Sequence, residues 1–314
     1  MEKPEPQIKF PKKVRENQSF QLLTKEIIPA LEKNHGKVWL VGGAVRDILL
    51  GQTPNDFDVE VYGITEKRLE TCLQNLRVTL TVTHHAQFGI WQIEGLTTPL
   101  SLSLPRLEQQ TNATHTGFAI QLVPDLDIET AIQRRDFTVN ALLADPLTGN
   151  LVDTCNGQRD LAARRLRPVN IDTFHHDGLR AWRAIQYIGR FGFRPTKVLL
   201  SILQKMAQSS EVALLSGPRI RAELDKLFAE SAQVSEALHQ ARSLGLLQAN
   251  LPELLMPMSK WRTVLASLDA IDPKKTTEPV KARWQTLLGA TTPQVAQELR
   301  GRLQLSKNIL QHQQ

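Results

Sequence analysis

The stretch Val38–Gly63, VWLVGGAVRDILLGQTPNDFDVEVYG, decides how this chain is read. Val38–Val41 is a short run of strand-forming residues that stops at Gly42 and Gly43. The next residues, AVRDILLG, have helical spacing, and DFDVEVYG alternates as a second strand. At the junction the missing side chains of Gly42 and Gly43 let backbone N–H groups approach a ligand. The start of the following helix favours anions, so this is a candidate phosphate cradle. Arg46, one turn into that helix, brings a forked cation to the same place. A glycine pair at a strand end is also how an ordinary tight turn is made, and Gly-Gly-x-x-Arg alone does not separate the two. In the second strand, residues two apart face the same way, so Asp56 and Asp58 project together while Phe57 and Val59 point to the core. Two neighbouring carboxylates repel unless a cation bridges them, although a solvated strand end would also hold them. Beside a phosphate cradle a Mg²⁺ site is the better reading, because Mg²⁺ is held by one or two carboxylates together with substrate phosphates.

Working outward, the 314 residues are enough for two or three packed units. The net charge of +6 arises from 38 basic and 32 acidic residues spread along the chain, which points to a folded protein with a polyanionic partner. Cys72 and Cys155 are far apart and lack CxxC or Cys/His spacing, so neither a disulfide framework nor a zinc site is expected, and the compartment is read as the reducing cytoplasm. No apolar run reaches the roughly 18 residues of a membrane helix, and the first residues lack the apolar centre of a signal peptide. From Lys37 to Leu104 the pattern is of strands, interrupted by helical segments such as ITEKRLETCLQNL; from Asp136 onward it is helical. The expected fold is α+β: a head with a mixed sheet, then an all-helical neck and body. Residues 1–19 read as a mobile arm, 20–145 as the head, 146–232 as the neck and 233–314 as a helical RNA-binding body.

The ordered series LVGGAVRDILLG…DFDVEVYG, RRDFTVNALLADPLTG, LVDTCNGQRDLAARRLRPV and HHDGLRAWRAIQYIGRFGF resembles the class II nucleotidyltransferases of the polymerase β superfamily. These are the bacterial CCA-adding tRNA nucleotidyltransferases and the related bacterial poly(A) polymerases. The resemblance runs from residue 38 to about 193, with a weaker echo to about 255. It implies that Asp56 and Asp58 are the catalytic, metal-binding pair, and that Gly43 and Arg46 contact nucleotide phosphates. It also implies that Arg135, with Asp136 beside it, binds nucleotide. In the helical half, Asp177 and Arg180 match side chains that pair with the incoming base in place of a template, and Arg183 matches a supporting nucleotide contact. The partners implied are tRNA, CTP and ATP, with no membrane. The alternatives are a poly(A) polymerase and a degenerate RNA-binding relative without activity.

The helical assignment also has a physical reading. At 100° per residue Arg180, Arg183, Tyr187 and Arg190 share one arc with Asp177 at its edge, opposite Ala181, Ile185 and Ile188. An aspartate accepts from the exocyclic amine of C or A and an arginine donates to a ring acceptor, a pairing that selects CTP and ATP. An arginine-rich surface helix would show the same pattern. Departures from the family pattern are His176 for a glutamate, Ser101 for an acidic residue, QQTNAT (Gln109–Thr114) for a basic, glycine-rich loop, and Gln186 for an arginine. His84 and His85 are read as a loop position, Trp39, Trp91 and Trp182 as core, and Arg164–Arg167 as a solvated helix end or an RNA contact.

Overall fold

A computed structural model of the chain describes residues 6–110 and 118–309. It divides into two compact units, one reaching to Ala163 and including Pro168–Asn170, the other formed by Arg164–Arg167 and the chain from Ile171 onward. No helix among the described residues is long and apolar enough to cross a membrane.

The first unit begins with short helices α1 (Lys12–Arg15), α2 (Gln18–Leu22) and α3 (Ile28–Glu32), the last two joined by a π-helical turn. The segment expected as a mobile arm is packed from residue 6. Leu151 N donates to Pro6 O and Ile8 N to Gly149 O, each at 2.8 Å, and Phe10 packs on Phe20 with ring centroids 5.0 Å apart. Val14 is fully buried, and Asn17 caps α2 by accepting from Ser19 N at 2.9 Å. Its apolar residues are too few to form an element alone, which is why the segment reads as loose, but they complete the core of the sheet behind it.

That sheet contains β1 (Lys37–Val41), β2 (Phe57–Tyr62), β3 (Val82–His85), β4 (Ile90–Ile93), β5 (Leu100–Ser103), β8 (Leu143–Ala144) and β9 (Leu151–Val152), in the order β3-β4-β5-β2-β1-β8-β9. β6 (Arg106–Gln110) and β7 (Phe118–Leu122) form a separate hairpin; Thr111–Thr114, His115 and Gly117 lie outside the described residues. The sheet is mixed: β2 runs antiparallel to β1 and parallel to β5. The registers Leu40↔Val59, Phe57↔Leu100 and Val59↔Leu102 place Leu40, Phe57, Val59, Leu100 and Leu102 on one fully buried face. Helix α4 (Gly43–Leu49) packs on β1 and β2. The opposite face carries Trp39, Val41 and Tyr62, which form an apolar cluster with Ala131 and Ile132 of α6 (Ile128–Ile132) and with Leu143. Helices α5 (Glu66–Gln74) and α7 (Gly157–Ala162) complete the unit.

The second unit is built around α8 (Leu179–Phe191), against which α11 (Gly217–Glu230) and α12 (Val234–Ser243) pack. Gly189 permits the approach of α11: a Cβ there would lie 2.2 Å from Leu227 Cδ1. Helices α9 (Lys197–Met206), α10 (Ser210–Ala213) and α13 (Leu246–Asn250) surround this core, and α14 (Met258–Asp269), α15 (Pro279–Gly289) and α16 (Pro293–Arg302) extend the array. Arg283, fully buried, donates to the carbonyls of Phe228 and Ile271 at 2.6 Å each, tying the ends of α11 and α14 to α15.

Val14→Asp tests the packing of the N-terminal segment. A carboxylate placed at this dry position should lower the unfolding free energy by ~3 kcal/mol in urea denaturation; a solvated arm would leave the transition unmoved.

Candidate active site

The glycine turn is where β1 leaves the sheet. Gly42 has φ +65° and ψ −123°, a conformation that penalises every residue with a Cβ, and its N–H donates to Leu142 O at 3.2 Å. A Cβ on Gly42 would also meet Arg135 Nη1 at 3.0 Å, so the turn and this guanidinium are already together. Arg46 sits beneath them. It is only 4% exposed, with Nε donating to Asp47 Oδ1 at 2.8 Å and Nη1 to Asn140 Oδ1 at 2.7 Å. Asn140 in turn donates to Asp136 Oδ1 at 2.8 Å, and the same oxygen accepts from Phe137 N at 2.7 Å. Arg46 and Asp136 are therefore joined through Asn140 in a buried network under the glycine turn.

Asp56 and Asp58 are both exposed, while Phe57 and Val59 between and beside them are fully buried, so the alternation expected of the strand is present. The parallel register pairs Asp58 with Ser101 on β5, which puts the position where the resemblance expects an acid directly beside the carboxylate pair. Glu60 continues the same alternation, but it is buried. One of its oxygens accepts from Arg135 Nη2 at 3.1 Å and from Arg134, and the other from the Tyr62 hydroxyl at 2.9 Å. Burial alone would push the Glu60 carboxyl up; Arg135, then Arg134 and the Tyr62 hydroxyl, outweigh it, and the group lies below the usual carboxylate range. Tyr62 is raised by its own burial and by the Glu60 carboxylate it donates to. Glu60 and Asn140 were missed in the sequence. The signal for Glu60 was present: a third alternating acid followed by an aromatic needs a buried cation, and Arg134-Arg135 supplies one.

In the helical unit, Asp177 precedes α8 and accepts from Leu179 N at 3.0 Å, with Arg219 3.3 Å from the same oxygen. Arg180 lies over the Phe174 ring, 5.6 Å from its centroid, and donates to Thr173 O at 3.2 Å. Arg183 donates to the Tyr187 hydroxyl at 3.3 Å. The three expected residues thus gather at the start of one helix. The polar arc does not continue: Tyr187 is buried against Phe191 and Phe193, and Arg190 pairs with Glu230. Neighbouring helices cover that side, which helical spacing alone does not reveal. His176 stands edge-on to His175, centroids 4.6 Å apart. Gln186 is buried in the same helix.

Trp39, Trp91 and Trp182 are buried, as their apolar settings predict. His84 and His85 are a correction. They lie in β3 rather than a loop, and the fold brings carboxylates to His84: Glu70 Oε1 is 3.1 Å from Nδ1 and Glu66 Oε1 3.3 Å from Nε2. The ring stacks on Trp91 at 4.3 Å. Glu66 and Glu70 are one helical turn apart on α5, 14 or more residues before His84, too distant in sequence to be seen as partners. The registers Asp58↔Ser101, Gln92↔Ser101 and His84↔Trp91 put this cluster on the face opposite Asp58. Arg164–Arg167 is a second correction: Arg165 and Leu166 form strand β10, paired in parallel with Arg194 and Pro195 of β11, and Arg164 donates to Phe191 O at 2.9 Å.

The first unit thus joins a mixed sheet, two exposed carboxylates, a glycine turn and an arginine. The fold agrees with solved structures: a Thermotoga maritima CCA-adding enzyme complexed with tRNA (TM-score 0.70, 24% identity, 93% of this chain and 67% of that one) and a tRNA-processing enzyme in an apo form (TM-score 0.75, 18% identity, 97% and 77%). Residues 38–167 match the Poly A polymerase head domain, and residues 192–256 match the probable RNA and SrmB-binding site of polymerase A. The chain is 34% identical over 226 residues to the multifunctional CCA protein of Stenotrophomonas maltophilia (69% of this chain, 52% of that protein) and 33% identical over 222 residues to that of Xylella fastidiosa (69% and 50%). These matches make the chain similar to the tRNA nucleotidyltransferases and bacterial poly(A) polymerases in its head and in the segment that follows. It spans about half the length of these curated relatives.

Gly42→Ala should destabilise the first unit by ~2 kcal/mol in urea unfolding, because the methyl group must both adopt the strained backbone and displace Arg135. An unchanged transition would show that the turn tolerates a side chain.

Proposed function

We propose that the chain is a template-independent nucleotidyltransferase that adds C, A or both to the 3′ end of tRNA from CTP and ATP, releasing pyrophosphate. The observation that carries this reading is the exposed pair of Asp56, immediately before β2, and Asp58, on it, in the unit that also holds the Gly42 turn and Arg135. The S. maltophilia and X. fastidiosa relatives are named multifunctional CCA proteins, and related solved enzymes are described with CTP and with ATP.

The donor set fits Mg²⁺: two exposed carboxylates at the start of β2 offer hard oxygen ligands and leave coordination positions for phosphate oxygens and water. When bound there, Mg²⁺ would stabilise charge on the attacking and leaving oxygens of an in-line displacement at the α-phosphate. Asp56 and Asp58 hold the metal. Arg135 and the backbone of Gly42 and Gly43 receive the triphosphate, while Arg46 and Asp136 support the turn from below. Asp177 and Arg180 read the base. The Asp177 carboxylate has acceptor capacity beyond the Leu179 amide and Arg219, enough to take a hydrogen bond from the exocyclic amine of C or A. Arg183 supports the nucleotide. In this reading the head reaches to Ala163 and includes the N-terminal segment, the neck with the selecting helix follows, and the helical body 233–314 grips tRNA through phosphate contacts. Cys72 and Cys155, neither of them in a disulfide, suit the reducing cytoplasm.

The test is incorporation of CTP and ATP, separately and together, into tRNA lacking its 3′ end, tRNA ending in CC, and oligoadenylate, resolved by product length. Three additions ending at CCA support the reading in full, and C or A alone supports a divided specificity. Long A tails identify a poly(A) polymerase; no product with salt-sensitive tRNA binding retained identifies a relative without activity. Asp56→Ala or Asp58→Ala should reduce incorporation by ~10³-fold or more with tRNA affinity unchanged. Equal loss of binding and activity would contradict the metal role.

Ser101 generates a separate prediction. The resemblance expects an acid at this position, and the register sets it beside Asp58. Ser101→Asp should lower the Mg²⁺ concentration for half-maximal incorporation by ~10-fold, a third carboxylate strengthening cation binding. A rise in that concentration would mean that Ser101 has another role.

A further inference from the structure

We propose that Glu60 is a positioning residue for nucleotide binding: it anchors one nitrogen of the Arg135 guanidinium and thereby presents the other at the Gly42 turn, where the nucleotide triphosphate is received. This rests on the nucleotidyltransferase reading above and adds to it a residue that contacts neither metal nor substrate.

The geometry is specific. Glu60 lies on β2 four residues after Asp56 and two after Asp58, between Trp39 of β1 and Ser103 of β5, and is 2% exposed. Arg134 and Arg135 follow α6, whose residues Ala131 and Ile132 pack on Trp39, Val41 and Tyr62, so the apolar cluster delivers both arginines to Glu60. Arg135 Nη2 donates to Glu60 Oε1 at 3.1 Å, and Nη1 is the atom that a Cβ on Gly42 would meet at 3.0 Å. The guanidinium is thus held by one tine of its fork and offered at the turn by the other. A planar fork fixed at one nitrogen has little freedom at the second, whereas an unanchored arginine samples many rotamers and must be ordered when the ligand arrives. The carboxylate is itself fixed, its second oxygen accepting from the Tyr62 hydroxyl at 2.9 Å. For packing alone an apolar side chain between Trp39 and Ser103 would avoid the cost of burying a charge. Retaining a carboxylate there is understandable if its direction matters.

Charge and orientation predict opposite outcomes. Neutralising Glu60 makes the surroundings of Arg135 more positive, so attraction alone would tighten the binding of a nucleoside triphosphate. Loss of the anchor would weaken it.

The experiment measures equilibrium binding of ATP and of CTP, with Mg²⁺, to the whole chain carrying no substitution, Glu60→Gln, Tyr62→Phe, Arg135→Ala, or Glu60→Gln with Arg135→Ala, and records the thermal unfolding of each. Glu60→Gln should weaken both nucleotides ~10-fold, Tyr62→Phe should weaken them in the same direction by less, and Glu60→Gln should add nothing once Arg135 is gone. Unchanged or tighter binding in Glu60→Gln overturns the proposal, as does equal weakening with and without Arg135. If Glu60→Gln does not fold, Tyr62→Phe carries the same sign test, and unchanged affinity there overturns it. A chain without substitutions that binds neither nucleotide overturns the nucleotidyltransferase reading and the proposal with it, an outcome distinct from failure of Glu60 in a chain that binds.

Discussion

A β-strand must send successive side chains to opposite faces, and β2 uses that constraint to separate two incompatible tasks. Phe57, Val59 and Val61 are fully buried and bind the strand into the sheet, while Asp58, Glu60 and Tyr62 project the other way. The position of β2 between β1 and β5 makes this division rigid, because a slip of one residue would bury the carboxylates and expose the core. The exposed charges depend on the dry face behind them.

The second face of β2 is graded. At the Tyr62 end α6 covers it with an apolar cluster; at the Asp58 end it carries exposed acid and Ser101. Glu60 stands at the border, buried but paired with cations. The charged groups around it form two sets of hydrogen bonds near the glycine turn: Glu60 with the half-buried Arg134 and Arg135, and the buried Asp136 with Asn140, Arg46 and Asp47. Such networks tolerate partial disruption poorly, since a lone buried charge costs far more than a satisfied one. Both guanidinium groups lie at the turn, Arg135 3.0 Å from where a Cβ on Gly42 would be and Arg46, itself buried, 3.5 Å from where a Cβ on Gly43 would be.

The helical unit follows a different logic. Helix α8 is enclosed along most of its length by α11 and α12, with Arg180, Arg183 and Arg190 left half-buried. Enclosure holds Asp177, Arg180 and Arg183 on a fixed axis. Trp182 strengthens this by donating to Asn250, which itself donates to Val212 O. The final three helices, which carry no motif, are tied to the core by buried side chains: Trp284 packs on Phe228 of α11 and donates to Asp225 at 2.6 Å, and Arg242 of α12 lies over Trp261.

Sequence by itself determined the strand–turn–helix–strand unit, the exposure of Asp56 and Asp58, the buried tryptophans and the presence of a helical half, because alternation, glycine placement and helical period are local properties; it set the change to helices too early, at Asp136, since β8 and β9 carry the sheet on to Val152. It also carried the family, through ordered motifs that no single spacing supplies. Only the tertiary structure decided which charged groups are exposed and which are supports. Arg46 and Asp136 have nothing local that distinguishes them from surface residues; they are buried because Asn140, far from Arg46 along the chain, folds back between them. The pairing of Glu60 with Arg135, of His84 with Glu70 and of Asp58 with Ser101 likewise joins residues 14 or more positions apart. The N-terminal segment is ordered for the same reason: its few apolar residues cannot form a core alone, but the sheet provides the other side of one.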